Sequence, residues 1–267
     1  MIDLDAYFRR IGYDGPRTAS LATLRALQAL HPAAIPFENL DVLMDLGIDI
    51  SPQAVDAKLI AAGRGGYCYE QNSLFGRALT ALGFEFDSLM ARVVWMAPPD
   101  APTPPRTHKL LRVRLDGETW LADVGFGGAV LTAPLRWVTD EVQVTPHEPF
   151  RLRDLGGDLL LETKLEDWTP VYRIGLDPQA PIDDELANWF TSRHPSSRFR
   201  QVLMVARTTP QARHTLLNNR LTLRPVAGEV ERRELDADGM EAALSEIFHL
   251  PFDPAWRPIL QRLAAAG

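Results

Sequence analysis

Cysteine is almost missing from this chain: Cys68 stands alone among 267 residues. A single thiol excludes an internal disulfide framework and every zinc site built from several cysteines, and it suits a reducing compartment in which a reactive thiol survives. Lysine is nearly as scarce, at Lys58, Lys109 and Lys164 against 25 arginines, a compositional habit with no mechanism attached. An excess of positive charge is lacking too. The formal net charge is -7 with acids and bases interspersed, which argues against a nucleic-acid partner, because non-specific binding to nucleic acid needs a strong positive field. Small molecules or acidic cofactors met by a local arginine cluster stay compatible with it. No apolar run approaches the roughly 20 residues that span a bilayer, and Met1-Ile2-Asp3-Leu4-Asp5 lacks the basic-then-apolar pattern of a signal peptide. No membrane partner is expected, and the expected location is cytoplasmic. What is present is a 46% hydrophobic chain, long enough for one large domain or a few small ones that share cores.

The lone cysteine lies in Arg64-Gly65-Gly66-Tyr67-Cys68-Tyr69-Glu70-Gln71-Asn72. Ser51-Pro52 opens a short helical pattern that Gly63 and Gly65-Gly66 stop, and Leu74, Phe75, Ala78, Leu79 and Leu82 then repeat at helical spacing up to Gly83. Cys68 therefore falls at a helix N-terminus, where unpaired N–H groups and the macrodipole favour a thiolate. The plainer reading is a small buried hydrophobe, since free cysteine is among the most buried residue types.

From the N-terminus to about Phe84 the pattern is helical: Asp3 to Ile11, then a helix capped by Thr18 or Ser20 and ended by His31-Pro32. Ile35 to Leu40 reads as an ordered loop in which Glu38 is either a partner for Arg64 or a solvated carboxylate. Beyond Phe86 the period changes to two, with strands over Ser88 to Trp95, His108 to Leu115, Glu118 to Val124, Phe150 to Asp154, Leu159 to Thr163 and Val171 to Leu176, which predicts a small antiparallel barrel or curled sheet. The stiff loop from Ala97-Pro98-Pro99 to Pro104-Pro105 is placed to form one wall of a site. A helix over Asp183 to Phe190, further strands, and closing helices over Met240 to Phe248 and Trp256 to Ala264 complete the chain.

Asp116-Gly117 between two strand patterns is the strongest short-range hairpin signal. With those two as the loop, Leu115 pairs with Glu118, Leu110 with Asp123, and His108 with Gly125. His108 and Asp123 then emerge on one face as diagonal neighbours roughly 7–8 Å apart at the backbone. A bulge that slips the register by one residue would reverse the face. Gly125-Phe126-Gly127-Gly128 follows the second strand as a tight turn, or as a close approach for a ligand. A helix-start thiol, a strand-end imidazole and a same-face carboxylate suggest nucleophile, general base and orienting acid, hence acyl transfer through a thioester. Whether water or an amine takes the acyl group is left open. A zinc site using the same three residues and a non-enzymatic binding module with Cys68 inert are the alternatives; the absence of short-spaced ligand pairs counts against the first.

Arg64 to Glu70 with Asn72, the Thr107-His108 strand start and Ala122-Asp123-Val124-Gly125-Phe126-Gly127 resemble the three signature segments of the arylamine N-acetyltransferases. Ile35 to Leu40 and Trp189 to Phe199 resemble an early and a late loop of that family, so the likeness runs over nearly the whole chain in the same order. It implies an α+β fold related to the papain-like thiol enzymes: a helical bundle over 1–85 carrying Cys68, an antiparallel β-barrel over 86–180 carrying His108 and Asp123, and an α/β lid over 181–267. It implies ping-pong transfer of an acetyl group from acetyl-CoA, a co-substrate rather than a resident cofactor, through a Cys68 thioester to an arylamine, arylhydrazine or arylhydroxylamine. Phe37 and Phe126 match positions lining the acceptor pocket, and Thr107, Gly127 and Gly128 match positions near the acyl donor. No metal is implied. An amide synthase or a thiol hydrolase of the same Cys-His-Asp architecture is the alternative, and self-association stays open.

Overall fold

The computed structural model describes residues 2–98 and 100–266; Met1, Pro99 of the proline-rich loop, and Gly267 lie outside the described residues. The chain begins with helix α1 (Leu4–Ile11), whose first turn is capped by Asp3 Oδ1 accepting from Ala6 N–H at 2.9 Å. Helix α2 (Leu21–Ala34) is capped by Ser20, whose Oγ accepts from Thr23 N–H at 3.2 Å. Pro32 does not end this helix as expected. Its missing N–H costs one bond to the turn before, but Ile35 N–H still reaches His31 O at 2.8 Å and closes a further turn past it.

Strand β1 (Phe37–Glu38) and helix α3 (Leu40–Leu43) follow. Helix α4 (Pro52–Val55), capped by Ser51, widens into a π-helical turn over Asp56–Ala61 and stops at Gly63. Helix α5 (Cys68–Ala81) then starts on the cysteine itself.

Seven strands form one nearly closed antiparallel sheet. They are β2 (Glu85–Val93), β3 (Arg106–Leu115), β4 (Glu118–Ala122), β5 (Leu135–Arg136), β6 (Phe150–Asp154), β7 (Asp158–Lys164) and β8 (Trp168–Gly175), in the order β5-β4-β3-β2-β8-β7-β6. The β3–β4 register is the one the Asp116-Gly117 turn dictates, from Leu115 opposite Glu118 to Leu111 opposite Ala122. Both turn residues take the left-handed conformation that a two-residue hairpin needs, at φ 51° and 79°. Period two divides the hairpin between two cores. Leu111, Val113, Trp120 and Ala122 pack against α1, α2 and α5, whereas Leu110 and Leu121 face the barrel interior with Leu89, Leu161 and Tyr172. His108 and Asp123 share the parity of the interior set.

Helix α6 (Pro181–Arg193) leads to a five-stranded sheet, β1-β9-β10-β11-β12, made of β1 with β9 (Met204–Thr208), β10 (Ala212–Leu217), β11 (Arg220–Pro225) and β12 (Glu231–Glu234). Helices α7 (Ala237–Ala242), extended by a π-turn, and α8 (Arg257–Ala265) cover one face of this sheet, burying Val205, Leu216, Leu221, Phe248 and Trp256 together with Leu40 from α3. The chain is therefore α+β: helices first, an antiparallel barrel next, an α/β layer last. No helix among the described residues is long and apolar enough to cross a membrane.

Candidate active site

Cys68 reaches the barrel rim because α5 begins where Gly125 leaves the hairpin. A Cβ on Gly125 would stand 2.8 Å from the Cys68 Cα and 2.7 Å from Asn72 Nδ2, so any side chain there would push the helix start away. On the other side, β2 and β3 slip register at Ala91 and Arg92, which pair with His108 and Arg106 and leave Thr107 between them without a partner. Bulges re-aim the groups they carry. The freed Thr107 carbonyl lies 3.6 Å from Cys68 Sγ, within reach of the S–H.

The hairpin brings His108 Nε2 to 2.7 Å from Asp123 Oδ2, with both side chains buried. Asp123 is held from every side. Its Oδ2 also accepts from Tyr172 O–H at 3.0 Å, and its Oδ1 accepts from Asn72 Nδ2 at 2.9 Å and Gly125 N–H at 2.8 Å. Burial works against the carboxylate, but His108 and these donors outweigh it and hold the group below its ordinary value. Burial likewise opposes the imidazolium, yet the adjacent Asp123 carboxylate and the Cys68 thiol reverse the balance and push His108 from 6.5 up to about 10. The ring is thus an imidazole made more basic by its buried carboxylate partner and placed beside the thiol.

Behind Cys68, the helix start is fixed by charge. Glu70 Oε2 accepts from Tyr67 N–H at 3.0 Å and its Oε1 pairs with Lys58 Nζ at 2.8 Å. Lys58 also meets Asp41 at 2.8 Å, and Arg64 bonds Glu38 at 2.6 Å and Asp41 at 2.8 Å. The Arg64–Glu38 pair read from the sequence is present, with Glu38 fully buried rather than solvated. Burial lifts Glu70 from 4.5 to about 6 despite Lys58. A second polar chain runs through the core: Tyr7 OH to His31 Nδ1 at 2.8 Å, His31 Nε2 to Gln71 Oε1 at 2.6 Å, and Gln71 Nε2 to Pro36 O at 2.9 Å.

In front of Cys68 opens a cavity of about 880 Å³. Cys68, Thr107, His108, Phe37, Phe126, Gly127 and Gly128 all line it, while Asp123 lies behind the imidazole and does not. Ala97, Pro98, Pro104 and Pro105 supply a wall, as the stiff loop suggested. The Phe126 ring stands edge-on to His108 at 5.2 Å and to Trp95 at 6.3 Å, and Phe37 tilts against Phe199 at 6.2 Å. Trp95 and Tyr172 carried no signal in the sequence beyond the strand patterns containing them. Asn72 was visible only through its motif; its Oδ1 accepts from Val124 N–H at 3.0 Å while Nδ2 bonds Lys109 O at 2.7 Å, stitching α5 to both hairpin strands. Among the described residues, no group of three or more His, Cys, Asp or Glu side chains is arranged to hold a metal ion.

A barrel on helices, with a thiol, an imidazole and a carboxylate at one end of an aromatic cavity, defines the class: an acyltransferase. A sequence profile described as N-acetyltransferase matches residues 20–257. The arylamine N-acetyltransferase of Escherichia coli is 44% identical over 94% of this chain and 90% of its own. The structure of arylamine N-acetyltransferase from Mycobacterium tuberculosis superposes with a TM-score of 0.94 at 41% identity, over 98% of this chain and all of that one. The Mycobacterium marinum arylamine N-acetyltransferase in complex with CoA gives 0.92 at 40% identity, covering 98% of both chains. The chain belongs to the arylamine N-acetyltransferase family.

Proposed function

We propose that this enzyme moves an acetyl group from acetyl-CoA to an aromatic amine, hydrazine or hydroxylamine through an acetyl thioester on Cys68. The observation that carries the reading is the buried His108–Asp123 pair, 2.7 Å apart, beside a thiol at the base of an aromatic-lined cavity. His108 takes the Cys68 proton and the sulfur attacks the acetyl carbonyl. As the tetrahedral intermediate collapses, the carbon–sulfur bond to CoA breaks and His108 returns the proton to the departing thiolate. The amine then attacks the enzyme thioester, gives its proton to His108, and expels Cys68. Asp123 fixes the ring tautomer and stabilises the imidazolium. The Cys68 backbone N–H, first in α5, is available to the developing oxyanion.

In this reading, Phe37 and Phe126 hold the flat acceptor, and Thr107, Gly127 and Gly128 border the acyl donor. Segments 1–85, 86–180 and 181–267 supply nucleophile, base and cover. A cytoplasmic setting suits a thiol that must stay reduced. The test is mass spectrometry of the Cys68 peptide after mixing with acetyl-CoA, which is expected to show one added acetyl group that disappears when an arylamine is supplied. An active preparation without that adduct sinks the proposal. Turnover at full rate without an amine would instead make the enzyme a thiol hydrolase.

A further inference from the structure

The polar chain through the helical core ends on the backbone that carries Phe37. Tyr7, His31 and Gln71 are each fully buried and do not line the cavity. Tyr7 belongs to the apolar cluster of Phe8, Leu24 and Phe75, and His31 stands edge-on to Phe75 at 5.7 Å. Buried polar groups cost stability unless each finds a partner, and the partners here also give the chain a direction. Gln71, one turn into α5, has Nε2 at 2.9 Å from Pro36 O, 3.1 Å from Gly66 O and 3.2 Å from Ile35 O. Carbonyls on that side need N–H donors, so Oε1 is left to accept from His31 Nε2 at 2.6 Å. His31 therefore carries its proton on Nε2, and its Nδ1 lone pair accepts from Tyr7 O–H at 2.8 Å. Burial pushes the ring from 6.5 down to about 4, so it is neutral at neutral pH and this tautomer is locked by its two partners.

The carbonyls that Gln71 holds form the joint between β1 and the cysteine segment. Gly66 N–H donates to Pro36 O at 3.2 Å and Glu38 N–H donates to Gly66 O at 3.1 Å, a parallel bridge that brackets Phe37. The two backbones touch, since a Cβ on Gly65 would collide with Pro36 O. Gln71 thus grips both acceptor carbonyls of the bridge and ties them to α5. Cys68 has restraints of its own, through Glu70 to Tyr67 N–H and through Asn72 to the hairpin. Phe37 is also paired with β9 opposite Ala206, which sets its place along the last sheet but not its distance from Cys68.

We propose that Gln71, locked by His31 and Tyr7, is a positioning residue that sets the distance between the Phe37 wall and Cys68, and with it the fit of the aromatic acceptor; the role given to Phe37 rests on the acceptor reading above. A fully satisfied polar chain specifies one arrangement where an apolar filling allows several, and a wall held at a fixed distance needs one. Acceptor selection is thereby tuned from the first helix of the chain, by side chains that no substrate touches.

Gln71→Met keeps the length of the side chain and deletes its amide, and Tyr7→Phe removes a single oxygen. In Gln71→Met the dissociation constant of para-chloroaniline, read by calorimetry, and its KM in turnover are expected to rise about tenfold. The single-turnover rate of Cys68 acetylation by acetyl-CoA stays within about twofold of wild type, because Cys68 is held separately. Tyr7→Phe, which frees the His31 proton to move to Nδ1, raises the same two constants about threefold, and nitrogen NMR of His31 shows the Nε2–H tautomer in the wild type and a mixture in the variant. In a Phe37→Ala background Gln71→Met changes acceptor binding by no more than about twofold, since the wall it places is gone. Equal losses in acetylation and in acceptor binding would mark a purely structural role and overturn the proposal, as would a full effect in the Phe37→Ala background or no binding of para-chloroaniline to the wild type. Where Gln71→Met does not fold, Tyr7→Phe decides, and unchanged para-chloroaniline binding in it overturns the proposal. Weaker para-chloroaniline binding in these variants, without an acetyl-Cys68 adduct in any of them or in the wild type, leaves the positioning role standing and removes the acetyl-transfer reading instead.

Discussion

Asp123 accepts four hydrogen bonds and offers none, which only an ionised carboxylate can do. An amide at this position would turn an N–H toward His108, Tyr172, Asn72 or the Gly125 amide, all of them donors in the present arrangement. Asp123→Asn is therefore expected to fold while losing acetyl transfer by on the order of 10⁴ in kcat, through the wrong imidazole tautomer; steady-state assay and circular dichroism check the two halves. The same pair sets a pH signature. His108 is raised from 6.5 to about 10, so its contribution to stability is fully present below 6.5 and is lost as pH rises through about 10. Asp123 is lowered, so its share is present above the ordinary carboxylate value and is lost in acid. Denaturation midpoints at pH 7 and 10.5 should fall further for the wild type than for Asp123→Asn. At this scale, the sequence revealed the residues tied by local register and hid those tied by long loops. The Asp-Gly turn aligned His108 with Asp123 across 15 residues, whereas Asn72 and Tyr172 reach the same carboxylate from 51 and 49 residues away. No periodicity encodes that meeting.

Among the elements, the β3–β4 hairpin carries the most information, and its turn is where it can be perturbed cleanly. Gly117 sits at φ 79° with nothing within 4 Å of an added Cβ, so Gly117→Ala meets only backbone strain. It should cost about 1 kcal/mol, read by chemical denaturation, with acetyl transfer kept. Inserting one residue between His108 and Leu115 is a harsher change, because a one-residue slip turns the imidazole out of the barrel interior. Start of α5 depends on a different device. Removing Arg64 leaves Glu38, which is fully buried, with Lys58 at 3.7 Å as its one cation and the Leu40 N–H at 2.8 Å as its hydrogen-bond donor. Arg64→Ala is expected to lose about 3–5 kcal/mol in the same measurement, the usual cost of breaking a buried pair from one side. Helix starts, the hairpin and the Glu38–Arg64 pair were legible because caps, turns and sign-matched charges act locally. The bulge at Thr107, the π-turn over Asp56–Ala61 and the passage of α2 through Pro32 were not, since packing against distant elements decides them.

Across the whole molecule, the first and last thirds of the chain are joined through two residues of strand. Period two sends Phe37 into the cavity and Glu38 toward Arg64, while the β1 backbone pairs with β9 at Ala206 and Val205. Asn39 extends the joint: its Nδ2 donates to Phe199 O and Val202 O, both at 2.8 Å, and its Oδ1 accepts from Met204 N–H at 2.8 Å. On the other flank, α6 reaches back through Asn188, which accepts from Tyr67 O–H and donates to Ile48 O at 2.9 Å, and through an Asp184–Lys109 pair beside His108. The helical, barrel and α/β parts thus share the residues that fix Cys68 and His108, and they should unfold together. Asn39→Ala strands two carbonyls and one N–H at the joint, each worth about 1–3 kcal/mol where water cannot replace the lost partner. The expected result is a single denaturation transition moved to lower denaturant, with acetylation of Cys68 and barrel fluorescence lost at the same midpoint. Two separated transitions, with the barrel outlasting the α/β part, would mean that the last third is an independent cover and that the geometry at Cys68 does not need it.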